Sequence, residues 1–185
     1  MTREAKVEKI IELTANRFYK DFAATTAAKV IELDAVGELY FLATNIGLDD
    51  FSPKQKSNIV WRSAYTLEYI YFNNRDIFAP YIKQFIRDFT KCDNPSAMRS
   101  FTKIMADILK YHKPTFEQMD NIAQCVANWV ADPKVKVAVK VWSMSILRSL
   151  RPHILWLDDI WEDMEAFLIN NSSPAIEVRF RRGWK

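Results

Sequence analysis

Four times along the chain a proline follows a residue whose side-chain oxygen can cap a helix: Ser52-Pro53, Asn94-Pro95, Asp132-Pro133 and Ser173-Pro174. The prolines stand 42, 38 and 41 residues apart. The first N–H groups of a helix have no partner inside it, so a side-chain acceptor at the entrance stabilises the start. Proline suits the next position, because the N–H it lacks would be unpaired there anyway. The recurrence predicts four helices at a fixed interval, and a period near forty predicts stacked helical hairpins. Ser52 with Gln55 forms a capping box, and Thr115 with Gln118 forms another that opens a helix before Pro133. Leu67, Leu109 and Leu147 each stand fourteen residues after one of the first three prolines and read as one shared buried position.

Composition narrows the alternatives. The 185 residues include only three glycines, Gly37, Gly47 and Gly183, too few for the tight turns of a β-sandwich or barrel. Nor can they build a glycine-rich phosphate loop. Cys92 and Cys125 are too few for a disulfide framework or a zinc finger. Apolar residues make up 49% of the chain, enough for a sizeable core, yet no apolar run nears the roughly 18 residues of a membrane span. The charged opening MTREAKVEKIIEL has no apolar signal-peptide segment. A cytoplasmic protein with reduced thiols and no membrane partner is expected.

Between the capped turns lies room for one further helix each. Phe116, Met119, Ala123, Val126 and Val130 recur at three- and four-residue spacing, as do Ile154, Leu157, Trp161, Met164 and Leu168. Residues 76–91, with Pro80 in the first turn, and 29–46 complete the first-helix set. Val135 to Val141 alternates with period two, a strand signal, but the Asp132-Pro133 cap and the helical surroundings predict a helix. The expected fold is all-α: one domain over 1–185, with an N-terminal capping helix within 1–28 and repeats at 29–72, 76–112, 115–151 and 154–185.

Charge divides between the two helix layers. The second helices of the repeats sum to +12 and the first helices to −8, although the whole chain carries only +3. In a solenoid the second helices line one continuous surface, and a basic groove there would attract an anionic partner. Lys134, Lys136, Lys140, Arg148, Arg179, Arg181 and Arg182 are the candidate residues for it. The competing account pairs Lys134–Arg151 with the acids Asp158, Asp159, Glu162, Asp163 and Glu165 inside the fold.

No catalytic residue, metal-ligand set or cofactor motif is expected. The five acids lack an accompanying Glu-x-x-His and read as a solvated face. His112 and His153 each adjoin a proline turn and read as helix-end groups. Of the six tryptophans, Trp156, Trp161 and Trp184 are the candidates for exposure.

The two-helix units, clearest in ANWVADPKVKVAVKVWSMSIL, resemble HEAT and armadillo repeats, which implies a right-handed α-α superhelix of about four hairpins. The tail SSPAIEVRFRR is similar to the C-terminal repeats of HEAT-like DNA glycosylases of the alkylation-repair type. Trp156-Leu-Asp158 and Trp161-Glu-Asp163 only echo the tryptophan-rich catalytic segment of those enzymes, so no catalytic role is carried over. The signature loop of adenylosuccinate lyase-type enzymes finds only Ser52, Lys56 and Asn58 here. The expectation is a non-enzymatic adaptor for a protein or peptide, with nucleic-acid binding as the alternative.

Overall fold

The computed structural model describes residues 1–15, 18–44, 48–171 and 173–182. These residues form helices joined by turns and loops, with no strand among them. The chain divides into two compact units, Met1–Phe101 and Thr102–Lys185. No helix of the described residues is long and apolar enough to cross a membrane.

The first unit is organised around α4 (Pro53–Asn73), against which α1 (Arg3–Ala15), α2 (Phe22–Glu32) and α3 (Val36–Ala43) pack. Pro53 takes the first helical position, as expected. Ile59, Val60, Ala64, Leu67, Ile70 and Tyr71 form the buried face of α4 at helical spacing. The Arg62 guanidinium donates to the Thr14 carbonyl at 2.7 Å and ties the end of α1 to α4.

The single N-terminal capping helix and the continuous helix over 29–46 are both corrected. Residues 22–32 form their own helix, which ends because Asp34 adopts φ 47°. Asp34 N donates to the Ile31 carbonyl and Ala35 N to the Val30 carbonyl, the paired bonds of a Schellman stop. Aspartate tolerates this left-handed conformation better than most residues with a β-carbon. The helix over 76–91 is likewise a chain of short pieces. They are α5 (Arg75–Phe78), a 3₁₀ turn at Ala79–Tyr81 holding Pro80, α6 (Ile82–Asp88) and a 3₁₀ turn at Phe89–Lys91.

The division between the units falls within α7 (Ala97–Ile108). Pro95 precedes this helix instead of opening it. Asn94 Oδ1 accepts from the N–H groups of Ser96 and Ala97 and caps the first turn from two residues further back. Leu109 lies beyond the last residue of α7 and is only half-buried, whereas Ile108 is fully buried, so the fourteen-residue register fails there.

The second unit contains α8 (Phe116–Ala131), α9 (Val137–Leu150), α10 (Trp156–Asn170) and α11 (Pro174–Arg181). Helix α8 pairs with α9, α10 packs on α8, and α11 packs on α9 and α10. The Trp156 indole donates to Asp120 Oδ1 at 2.7 Å, joining α10 to α8. Val135 to Val141 forms no strand. Asp132 Oδ1 accepts from Lys134 N in a turn of its own, and α9 starts four residues after Pro133. The α10 stripe is buried, and Trp161 is buried with it, which corrects its reading as a candidate for exposure. The α8 stripe is buried except for its first member, Phe116, which is exposed.

Candidate functional site

The seven cations assigned to a groove do not share one environment. Lys134, Lys136, Arg148, Arg181 and Arg182 are exposed. Lys140 is not: it is 6% exposed, and its ammonium lies 5.0 Å from the centre of the Phe167 ring. Burial lowers its pKa, partly offset by the charge of Asp132. Arg179 is half-buried with its guanidinium 4.8 Å from the centre of the Trp142 ring. Arg151 lies over Trp161 at 4.7 Å and also pairs with Asp158. These cations contribute cation–π attraction to the packing of the second unit.

Position along α9 separates the exposed members further. Lys134 and Lys136 precede the helix, while Arg148 stands in its last turn. Twelve residues of helix put Lys136 and Arg148 about 18 Å apart along the axis. Helix α9 is buried along most of its length, so it serves as the central helix of the second unit and presents no basic face.

A different set of cations converges. The loop from α7 to α8 and the loop from α9 to α10 enclose a cleft of about 250 Å³. Lys110, Tyr111, His112, Lys113, Ser149 and His153 line it, and among the described residues no carboxylate does. Lys110 is drawn toward Asp107 at 3.0 Å, and the Ser149 hydroxyl donates to the Ser145 carbonyl. Helices α7 and α9 end at this edge while α8 and α10 begin there, so the opposing helix dipoles offset one another. Thr115 caps α8 as read: its hydroxyl oxygen accepts from Gln118 N, and the Gln118 amide oxygen accepts from Thr115 N.

The same loops expose apolar side chains. Tyr111 is 65% exposed, Phe116 66% and Leu155 81%. Sequence reading took the two histidines singly, as helix-end groups, and missed the cleft they share. A signal for it exists: His112 and His153 are 41 residues apart, one repeat period, so the repeat plan itself puts both on the same edge.

A cavity of about 140 Å³ in the first unit is lined by Asp88, Lys91, Cys92 and Asn94, among others. Asp88 and Lys91 are engaged with each other, and Asn94 bonds Ser57 and the backbone N–H groups of Ser96 and Ala97. Asp88 accepts from the Tyr40 hydroxyl at 3.1 Å and from Lys91 at 2.9 Å. Burial opposes ionisation of Asp88, but hydrogen bonds from Lys91 and Tyr40 and the charge of Lys91 outweigh it and hold the pKa below its ordinary value. Burial, followed by the charge of Asp88, raises that of Tyr40. This cluster is a structural tie from α3 to α6. Cys125 is half-buried, and burial pushes its thiol up to about 11, away from the reactive thiolate. Trp156 is half-buried; Trp184 lies outside the described residues.

A scan against family models, a search of curated proteins and a search of solved structures each returned no match.

Proposed function

We propose that the chain is a HEAT/armadillo-like, non-enzymatic binding protein that takes a segment of a partner protein at the loop edge of its second unit. The observation that carries this reading is the exposure of Tyr111, Phe116 and Leu155 beside the cationic cleft. Large apolar and aromatic side chains that leave water on association are the usual anchors of protein interfaces, and a polar surround sets specificity. The stacking of α10 on α8 and of α11 on α9 supports the repeat assignment, since each hairpin buries a face against the next.

The test is a selection from a displayed peptide library on the whole chain, repeated on Tyr111→Ala and Leu155→Ala. Enriched peptides should lose at least about tenfold in affinity with either substitution, the equivalent of about 1.4 kcal/mol. Peptides indifferent to both substitutions would sink the reading. Duplex DNA binding that weakens steeply with salt would replace it by the nucleic-acid alternative.

A further inference from the structure

The cleft has a lining that a purely apolar peptide would not use. Lys110, Lys113, His112 and His153, whose side chains carry ammonium and imidazole N–H groups, all line one concavity, with no acid among its described lining residues. Asp107 partly offsets Lys110, which leaves Lys113 and the two imidazoles as the groups able to meet a new acceptor. We propose that this cleft seats the phosphoryl group of a phosphorylated protein segment. The inference rests on the function proposed above and names the chemistry that the partner brings.

Three observations favour that ligand. A phosphoryl ester presents close to two negative charges and three acceptor oxygens, which suits a cleft lined by several donor-bearing residues. The cleft's volume of about 250 Å³ admits the group and the first atoms of the side chain carrying it. By comparison, a water molecule takes about 30 Å³ in the liquid. Tyr111, Phe116 and Leu155 stand exposed on or beside the same loops, where residues flanking a phosphorylated side chain would lie. A nucleic acid would instead need a row of cations at phosphate spacing. The row expected along α9 and α11 is interrupted by burial of Lys140 and by the stacking of Arg179 on Trp142.

Two degenerate peptide libraries test the proposal on the full chain, one with a fixed central phosphoserine and one with serine in its place. The phosphoserine library should be retained at least tenfold better, and Lys113→Glu combined with His153→Ala should abolish the preference. Both residues are exposed, so thermal unfolding of the double variant should match the wild type. In parallel, phenyl phosphate added to the protein should shift the imidazole NMR signals of His112 and His153, whereas phenol should not. Equal retention of the two libraries would overturn the phosphate assignment and leave the peptide-binding function standing. Retention of neither would overturn both. Displacement of the phosphopeptides by a single-stranded oligonucleotide at equal phosphate concentration would assign the cleft to nucleic acid and overturn the proposal.

Discussion

Helices α4 and α9 hold equivalent places in the two units, yet they are buried by different chemistry. Around α4 the first unit packs rings: Phe22, Tyr40, Tyr71, Phe78, Phe85, Phe89 and Phe101 are all buried. Phe85 alone approaches Phe78 at 5.8 Å, Phe89 at 6.3 Å and Phe101 at 5.1 Å between ring centres. Around α9 the buried apolar residues of the second unit are aliphatic or methionine, and Trp161 is the one ring among those described. Other rings there, Trp142 and Phe167, lie half-buried beneath cations. Cations meet rings in both units, Arg75 over Tyr71 at 5.4 Å among them, but the buried rings of the first unit also pack on one another, whereas the half-buried rings of the second unit meet cations at its rim. The basic charge of the second unit is thus partly a packing device.

Removing a ring from the first unit should give the largest effect. Phe85→Ala should cost about 3–5 kcal/mol in denaturant unfolding, because three ring contacts disappear along with the buried area. A loss below about 1.5 kcal/mol would mean that the ring cluster adds nothing beyond what an aliphatic core provides. That result would erase the distinction between the units.

The counterpart in the second unit is a charge. Lys140→Glu should cost about 3–5 kcal/mol, since it leaves an uncompensated carboxylate in a buried site against a ring face. Lys140→Met should be close to neutral, because it keeps the stem and removes the desolvated ammonium. Arg181→Glu, on an exposed position of α11, should stay within about 0.5 kcal/mol. Thermal unfolding in which all three variants behave alike would show that Lys140 is no more embedded than Arg181.

These contrasts also mark what could be read from the sequence. Helices α8 and α10 were legible, because apolar spacing persists along the length of each, and at α8 the Thr115 capping box marks the start as well. The break between α2 and α3 was not: apolar periodicity runs unbroken through Val30, Ile31, Leu33 and Val36, and the stop is made by an aspartate in a conformation usually left to glycine. Pro95 and Pro133 misled for one reason. Asn94 and Asp132 each close a turn over the proline, and the helix begins after it. The repeat register consequently slips by one at the end of α7. Ile108→Ala and Leu147→Ala should each cost about 2–5 kcal/mol, and Leu109→Ala less than either. A larger loss at Leu109 than at Ile108 would restore the fourteen-residue register. The candidate site was least legible, because it joins two loops that are remote in sequence, and only the repeat period links His112 to His153.

A smaller effect separates the units by pH. Asp88 holds Tyr40 and Lys91 in the first unit, and its pKa in the folded chain lies below the ordinary carboxylate value near 4. The group therefore adds stability above that ordinary value, and the contribution fades as pH falls through the folded pKa. Asp88→Asn should lose about 1–3 kcal/mol at neutral pH, the range for hydrogen bonds to a charged group. The difference from wild type should shrink toward zero as pH falls below the folded pKa. A difference that persists unchanged into acid would assign the loss to packing and not to ionisation.

The smallest comparison sets one capping box against the other. At α8 the Thr115 hydroxyl oxygen accepts the N–H of Gln118 at 3.3 Å, so the side chain satisfies one of the unpaired groups at the helix start. At α4 the box is complete too, with the Ser52 side chain accepting from Gln55 N, but its hydroxyl also donates to Gln55 Oε1 at 2.6 Å, and that oxygen accepts from Ser52 N. The Ser52 hydroxyl is thus shared between two groups of Gln55, and Pro53 already fixes the first φ. Thr115→Ala should then cost about 1 kcal/mol, whereas Ser52→Ala should cost a few tenths and Gln55→Ala more than Ser52→Ala. Equal losses at Thr115 and Ser52 in urea unfolding would mean that the two boxes work alike. The distinction drawn from their hydrogen-bond directions would then fail.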